Sequence, residues 1–270
     1  MRTLLGLLGV YRAHLRASLA EQFHYRVAAG LYLIGAILPP VVSISTWSAV
    51  AGAQGGRVGD FSGADLAAYF LVQLWVSHAT FTYVMLDFER RIRQGELSPR
   101  LLKPVHPIHA DIAENVAHKL VQLIVLIPVT VALVVAFRPA LHPHPWALVA
   151  AVPALLLAFL LRFCAEWTLA LAAFWTTRVE AVNELYFGTF LFLSGLLAPL
   201  TLLPEALQWA SLVLPFRWML AFPVELLLGR LTPEETLRGL AVQGAWLALA
   251  AALLMATWRA GLKRYAAVGA

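Results

Sequence analysis

Charge is scarce in this chain. Asp, Glu, Lys and Arg make up 13% of its 270 residues, against about a quarter in soluble domains. A lone cysteine, Cys164, excludes an intramolecular disulfide and a Cys-based metal cluster; within its apolar run it reads as a small packing residue. Several catalytic signatures are missing. There is no G-x-x-x-x-G-K-[ST] phosphate loop, so the chain by itself does not bind ATP in the P-loop manner. Neither H-E-x-x-H nor G-x-S-x-G occurs. His106 and His109 flank Pro107, and His142 and His144 flank Pro143; proline-broken pairs in loops make poor metal sites, so no metal is expected. The apolar runs lack the clustered carboxylates a proton or cation carrier needs, and the paired interruptions of inverted-repeat carriers.

What is present is apolar length. Hydrophobic residues make up 61% of the chain, more than an aqueous fold of this size can hide. About twenty apolar residues cross a bilayer, and six segments qualify: 27–50, 64–86, 116–137, 146–175, 185–203 and 240–258. The expectation is an all-α membrane protein, with residues 1–270 forming a single transmembrane domain. Before the first span, Leu4, Leu8, Tyr11, Leu15 and Leu19 recur at helical spacing beside Arg12 and Arg16. This stretch reads as an amphipathic interfacial helix within 1–26, its arginines reaching for lipid phosphates.

Lys and Arg orient the spans. One side holds Arg2, Arg12, Arg16, Arg26, Arg90, Arg91, Arg93, Arg100, Lys103, Lys119, Arg178, Arg259, Lys263 and Arg264. The other holds Arg57, Arg138, Arg217, Arg230 and Arg238. Fourteen against five places both termini in the cytoplasm of a multi-pass protein. The net charge of +5 is therefore a topology signal, and no nucleic-acid partner is expected.

Three stretches carry functional expectations. The cytoplasmic connection 87–114 contains Gly95, suited to ending a charged helix that continues from the second span. Ser98-Pro99 follows as N-cap and first helical residue, and Pro104 stops the new helix. Glu96, Leu97, Ser98, Arg100, Leu101, Leu102 and Lys103 then form a short rigid element, with apolar knobs and flanking charges for a soluble partner; an ordinary loop against lipid headgroups is the plainer alternative. Segment 199–237 is broken by Pro199, Pro204, Pro215, Pro223 and Pro233 yet stays apolar, so short helices dip into the outer leaflet and return. Trp209, Phe216 and Trp218 are its outer-gate candidates. Within the fourth span Arg162 and Glu166 stand one turn apart, a pairing that lowers the cost of an intramembrane charge. Arg178, Glu180 and Glu184 form a second cytoplasmic contact or a solvated link.

In order along most of the chain, a series of motifs resembles ABC-2 type permeases, in particular the six-span branch once described only as a domain of unknown function. The series starts with Arg93-Gln94-Gly95-Glu96-Leu97 and Leu101-Leu102-Lys103-Pro104, then Phe174-Trp175 and Arg178-Val179-Glu180. It continues with Ser194-Gly195, Pro199, Pro204, Pro215-Phe216, Pro223-Val224 and Leu228-Gly229, and closes on Trp258-Arg259-Ala260-Gly261 and the tail beyond. The resemblance implies a non-catalytic permease subunit of an exporter in the bacterial inner membrane, moving an amphipathic or hydrophobic substrate by alternating access. It implies a second permease, identical or a sibling, and two separate ABC ATPase subunits that hold the ATP and Mg. Coupling would fall on Glu96 to Lys103, a cytoplasmic gate on Tyr11, Arg12, Leu15 and Arg16, and an outer gate on the segment between spans five and six. The alternatives are an ATPase-independent carrier or channel, and an intramembrane lipid-modifying enzyme centred on Arg162 and Glu166.

Overall fold

The structure is a computed structural model that describes residues 9, 11–13, 15–17, 26–176 and 179–265. Arg178, most of the amphipathic stretch and the tail beyond Tyr265 lie outside the described residues. Helix α1 (Arg26–Ala53) runs through Pro39 and Pro40. A small hairpin follows, β1 (Arg57–Val58) against β2 (Phe61–Ser62), paired Arg57 with Ser62 and Val58 with Phe61. Ser62 also caps α2 (Gly63–Thr80), in a reciprocal box with Asp65. Next come α3 (Val84–Arg93) and α4 (Leu97–Leu101), then α5 (Pro107–Phe137), which opens on proline where no backbone donor is needed. Helix α6 (Pro145–Ala170) passes unbroken through Pro153 and tightens into a 3-10 turn at Leu171–Phe174. Helix α7 (Val179–Leu193) leads to the short pieces α8 (Glu205–Val213), α9 (Phe216–Met219) and α10 (Ala221–Leu227). The chain ends in α11 (Pro233–Leu262), started by a Thr232–Glu235 capping box.

Among the described residues, three helices are long and apolar enough to cross a membrane: Pro107–Phe137, Pro145–Phe174 and Pro233–Leu262. The apolar part of α1 described with side chains is the shorter Ile37–Ala53. Two expected segments are divided or cut short, while the expected 116–137 and 240–258 lie inside longer helices. Segment 64–86 is two helices, since α2 stops at Thr80 and α3 starts at Val84. Segment 185–203 is helical only to Leu193, in a helix that begins earlier, at Val179. Helix α5 also begins inside the connection 87–114, so that connection is shorter than its sequence suggests.

Helix α6 is central and packs most extensively on α11. Its buried Ala147, Ala151, Ala154 and Ala158 form a small-residue stripe, and Phe222 and Leu226 of α10 pack against its N-terminal half; small residues allow such close approach where lipid supplies no hydrophobic drive. Glycine makes the same allowance twice on α11. A Cβ at Gly239 would fall 2.1 Å from the Phe222 ring, and one at Gly261 would fall 2.2 Å from Phe174. Gln243, buried in α11, donates to the carbonyls of Ala154 (3.1 Å) and Trp218 (2.8 Å), tying α6, α9 and α11 together.

Candidate functional site

Gly95 sits just after α3 with φ +70, the left-handed geometry that lets the chain turn back on itself. The following helix starts earlier than the Ser98 cap would place it. Ser98 donates its backbone N–H to the Gly95 carbonyl (3.2 Å), so the turn begins at Leu97 and Pro99 falls in its first turn, where its missing donor costs nothing. The Ser98 hydroxyl is 2.8 Å from the Tyr265 hydroxyl and caps no helix. The three apolar residues divide the work unequally. Leu97 is 1% exposed and anchors α4 in the core, Leu101 is half-buried, and Leu102 is 88% exposed. Glu96 pairs with Arg90 (3.2 Å), and Lys103 faces solvent.

Beneath α4 lies a hub that the sequence does not announce. Asp111, buried in α5, accepts from Arg91 of α3 (2.6 Å) and Arg100 of α4 (3.4 Å) on one oxygen. Its other oxygen accepts from the Trp167 indole of α6 (3.0 Å). One carboxylate thus joins four helices, and burial makes each partner necessary, since a lone buried charge is costly. Phe88, Phe174 and Trp258 surround the Trp167 side of the hub with edge and tilted ring contacts.

The interruption between α2 and α3 is held residue by residue. The Phe81 carbonyl accepts from Lys119 (2.6 Å), and the Tyr83 N–H donates to Asn115 (3.2 Å). The Tyr83 hydroxyl pairs with Gln122, and the Thr82 hydroxyl donates to Glu166. Three of these holders belong to α5 and the fourth to α6.

Glu166 is also the partner of Arg162 (2.7 Å), both within α6 and both buried. The Tyr186 hydroxyl of α7 donates to the same carboxylate (3.1 Å). The Arg162 guanidinium lies between the rings of Phe81 (5.0 Å) and Phe190 (4.4 Å), a desolvated cation over aromatic faces. Glu166 and Trp167 are neighbours in sequence, so one turn of α6 receives both the helix break and the hub under α4.

Other expected residues are less concentrated. The Tyr11 hydroxyl is 3.0 Å from His109 Nδ1 near the start of α5, while Arg12 and Arg16 are exposed and Leu15 is half-buried. Glu180 and Glu184 face solvent. Trp209, Phe216 and Trp218 do not converge. Trp209 is exposed and bonds only within its own helix, to Glu205 (3.3 Å). Phe216 packs on Tyr186 and Phe190, and Trp218 on Phe222. The turn after α7 is instead fastened by α1 and α2, through Tyr69 to the Gly195 carbonyl (2.7 Å), Gln73 to Leu196 (2.7 Å) and Trp47 to Leu197 (3.2 Å). Beside that turn, Pro39, Gln73, Ser77, His78 and Leu191 line a cleft of about 380 Å³ with polar and apolar walls.

Long apolar helices, with their internal charges paired inside the fold, define a multi-pass α-helical membrane protein without a metal-binding cluster among the described residues. The chain belongs to the ABC-2 family: the family described as ABC-2 family transporter protein matches residues 37–269. Membership makes it a permease of an ABC transporter, a membrane component that associates with ABC ATPase subunits. No curated protein and no solved structure matches the chain.

Proposed function

We propose that this permease is the six-span membrane half of an exporter in the bacterial inner membrane, with both termini cytoplasmic, paired with a second permease and driven by two ABC ATPases that hold the ATP and Mg. The observation that carries the reading is α4: Leu97 is sealed in the core while Leu102, five residues on, stands 88% exposed. A helix so anchored at one end offers an apolar knob to a soluble partner and passes on any push it receives. The push travels through Arg100 to Asp111, and from Asp111 to α5 and to Trp167 of α6. On α6, Glu166 relays it to the Thr82 break and, through Tyr186 and Phe216, to the short outer helices. These outer pieces act as the exit gate, and the amphipathic stretch carrying Tyr11 acts as the cytoplasmic gate. The cleft between α1, α2 and α7 supplies half of the cavity exposed alternately to each side; its mixed walls suit an amphipathic cargo. The permease itself catalyses nothing.

The test is co-purification and reconstitution with the cognate ATPase. Leu102→Asp is expected to abolish ATPase association and ATP-driven transport while the permease stays folded. Undiminished association would refute the docking assignment, and transport by the permease without an ATPase would favour an independent carrier.

A further inference from the structure

We infer that the groove between α6, α7, α9 and α11 is a binding site for the long alkyl chain of an amphipathic molecule. The groove holds about 370 Å³ and its walls are almost wholly apolar, with Leu161, Ala165, Leu169, Phe216 and Met219 among them. Besides Trp246, three hydroxyl-bearing side chains line it, and each hydroxyl has its proton committed. Thr168 donates to the Cys164 carbonyl (2.7 Å), Thr189 to the Leu185 carbonyl (2.8 Å) and Tyr186 to Glu166 (3.1 Å). Their oxygens can still accept, but no free hydroxyl proton is left for an occupant that needs a donor, so a polar occupant would recover little of the solvation it loses. An alkyl chain has nothing of that kind to lose and gains the burial of each methylene.

The way in also points to such an occupant. Leu185, Leu249 and Leu253 border the groove and are 73%, 48% and 52% exposed, an apolar rim that faces lipid if these helices cross a bilayer. The far end abuts Phe216 and Met219, and the Met219 sulfur lies 3.9 Å from the Tyr186 hydroxyl. A chain lying here touches the outer short helices and the tyrosine that binds Glu166. Its presence would bias the proposed outer gate, and that consequence rests on the exporter reading. Binding itself does not.

The experiment uses the permease–ATPase complex in nanodiscs containing a phosphatidylethanolamine with a diazirine at its acyl terminus. After illumination, labelled positions are mapped by peptide mass spectrometry. Label should concentrate on the groove residues well above Ile124 and Val135, apolar positions on α5 that are 66% and 73% exposed and lie outside the groove. Ala165→Trp should cut groove labelling about tenfold, the equivalent of losing roughly two buried methylenes. Leu253→Trp, at the rim, repeats the test with little risk to folding. Label that persists through ATP turnover identifies a resident lipid, and label chased by ATP identifies the chain of a cargo; either supports the site. Groove labelling no higher than at Ile124 and Val135, or unchanged in both variants, would overturn it. The label is read on the permease, so failure of ATPase association would sink the exporter reading without touching this one.

Discussion

The two ends of the bundle are held by different chemistry. Beneath α4, helices meet on buried charges: Asp111 binds Arg91, Arg100 and Trp167, and Glu166, paired within α6 to Arg162, accepts from Thr82 and Tyr186. At the far end one ion pair, Arg217–Glu225 (2.7 Å), joins the neighbouring short helices α9 and α10, while the long-range ties are neutral hydrogen bonds to backbone carbonyls, from Tyr69, Gln73 and Gln243 to Gly195, Leu196 and Ala154. A buried charge network tolerates no missing partner, whereas a neutral bond is replaceable at modest cost. The helices around Asp111 are therefore bound as a unit, and the far end is the more readily loosened.

Breaking the charged end should cost most. Asp111→Leu leaves Arg91 buried without its main partner, and about 3–5 kcal/mol of stability should be lost, read as a collapse of the thermal transition in detergent. Retention of a near-native transition would mean the hub is solvated and not structural. Overpacking at the same end comes next. Gly261→Val puts side chain into the Phe174 ring, 2.2 Å from an added Cβ, and should destabilise by about 1–3 kcal/mol. At the far end Tyr69→Phe removes one neutral donor to Gly195 and should cost about 1 kcal/mol; a loss as large as that of Asp111→Leu would erase the contrast between the ends. The smallest stability effect belongs to Leu102→Asp, within about 0.5 kcal/mol because the side chain is already solvated. Its thermal transition should overlay that of the unmodified chain even where ATPase association is gone.

How much of this was legible in the sequence depended on where the deciding contacts lie. The Arg162–Glu166 pair follows from local spacing, as two opposite charges one helical turn apart in an apolar run must face each other. Gly95 was readable for the same reason, since its role is set by the chain on either side. Asp111 was not. It sits between Pro107 and Glu114, where the sequence resembles a polar loop, and its partners come from α3, α4 and α6. Pro107 was the missed cue, as proline is favoured at the first helical position and here opens α5. The break at Phe81–Tyr83 contains neither proline nor glycine, and the side chains that hold it lie on α5 and α6. The Ser98 cap failed because the Gly95 carbonyl captured the Ser98 N–H first. The contacts of Phe216, an outer-gate candidate by its place in the proline-broken segment, come from Tyr186 and Phe190 of α7, which its own neighbourhood in the sequence does not reveal.

If motion at α4 reaches the short helices α8 to α10, it passes through the Tyr186–Glu166 contact and on to Phe216. The direct measurement places an environment-sensitive fluorophore on Trp209→Cys, in a Cys164→Ala background, within the reconstituted permease–ATPase complex. ATP is expected to shift its emission, and Tyr186→Phe, which removes the hydroxyl bound to Glu166, should suppress that shift while ATP hydrolysis and ATPase association persist. An ATP-dependent shift that is undiminished in Tyr186→Phe would contradict that relay.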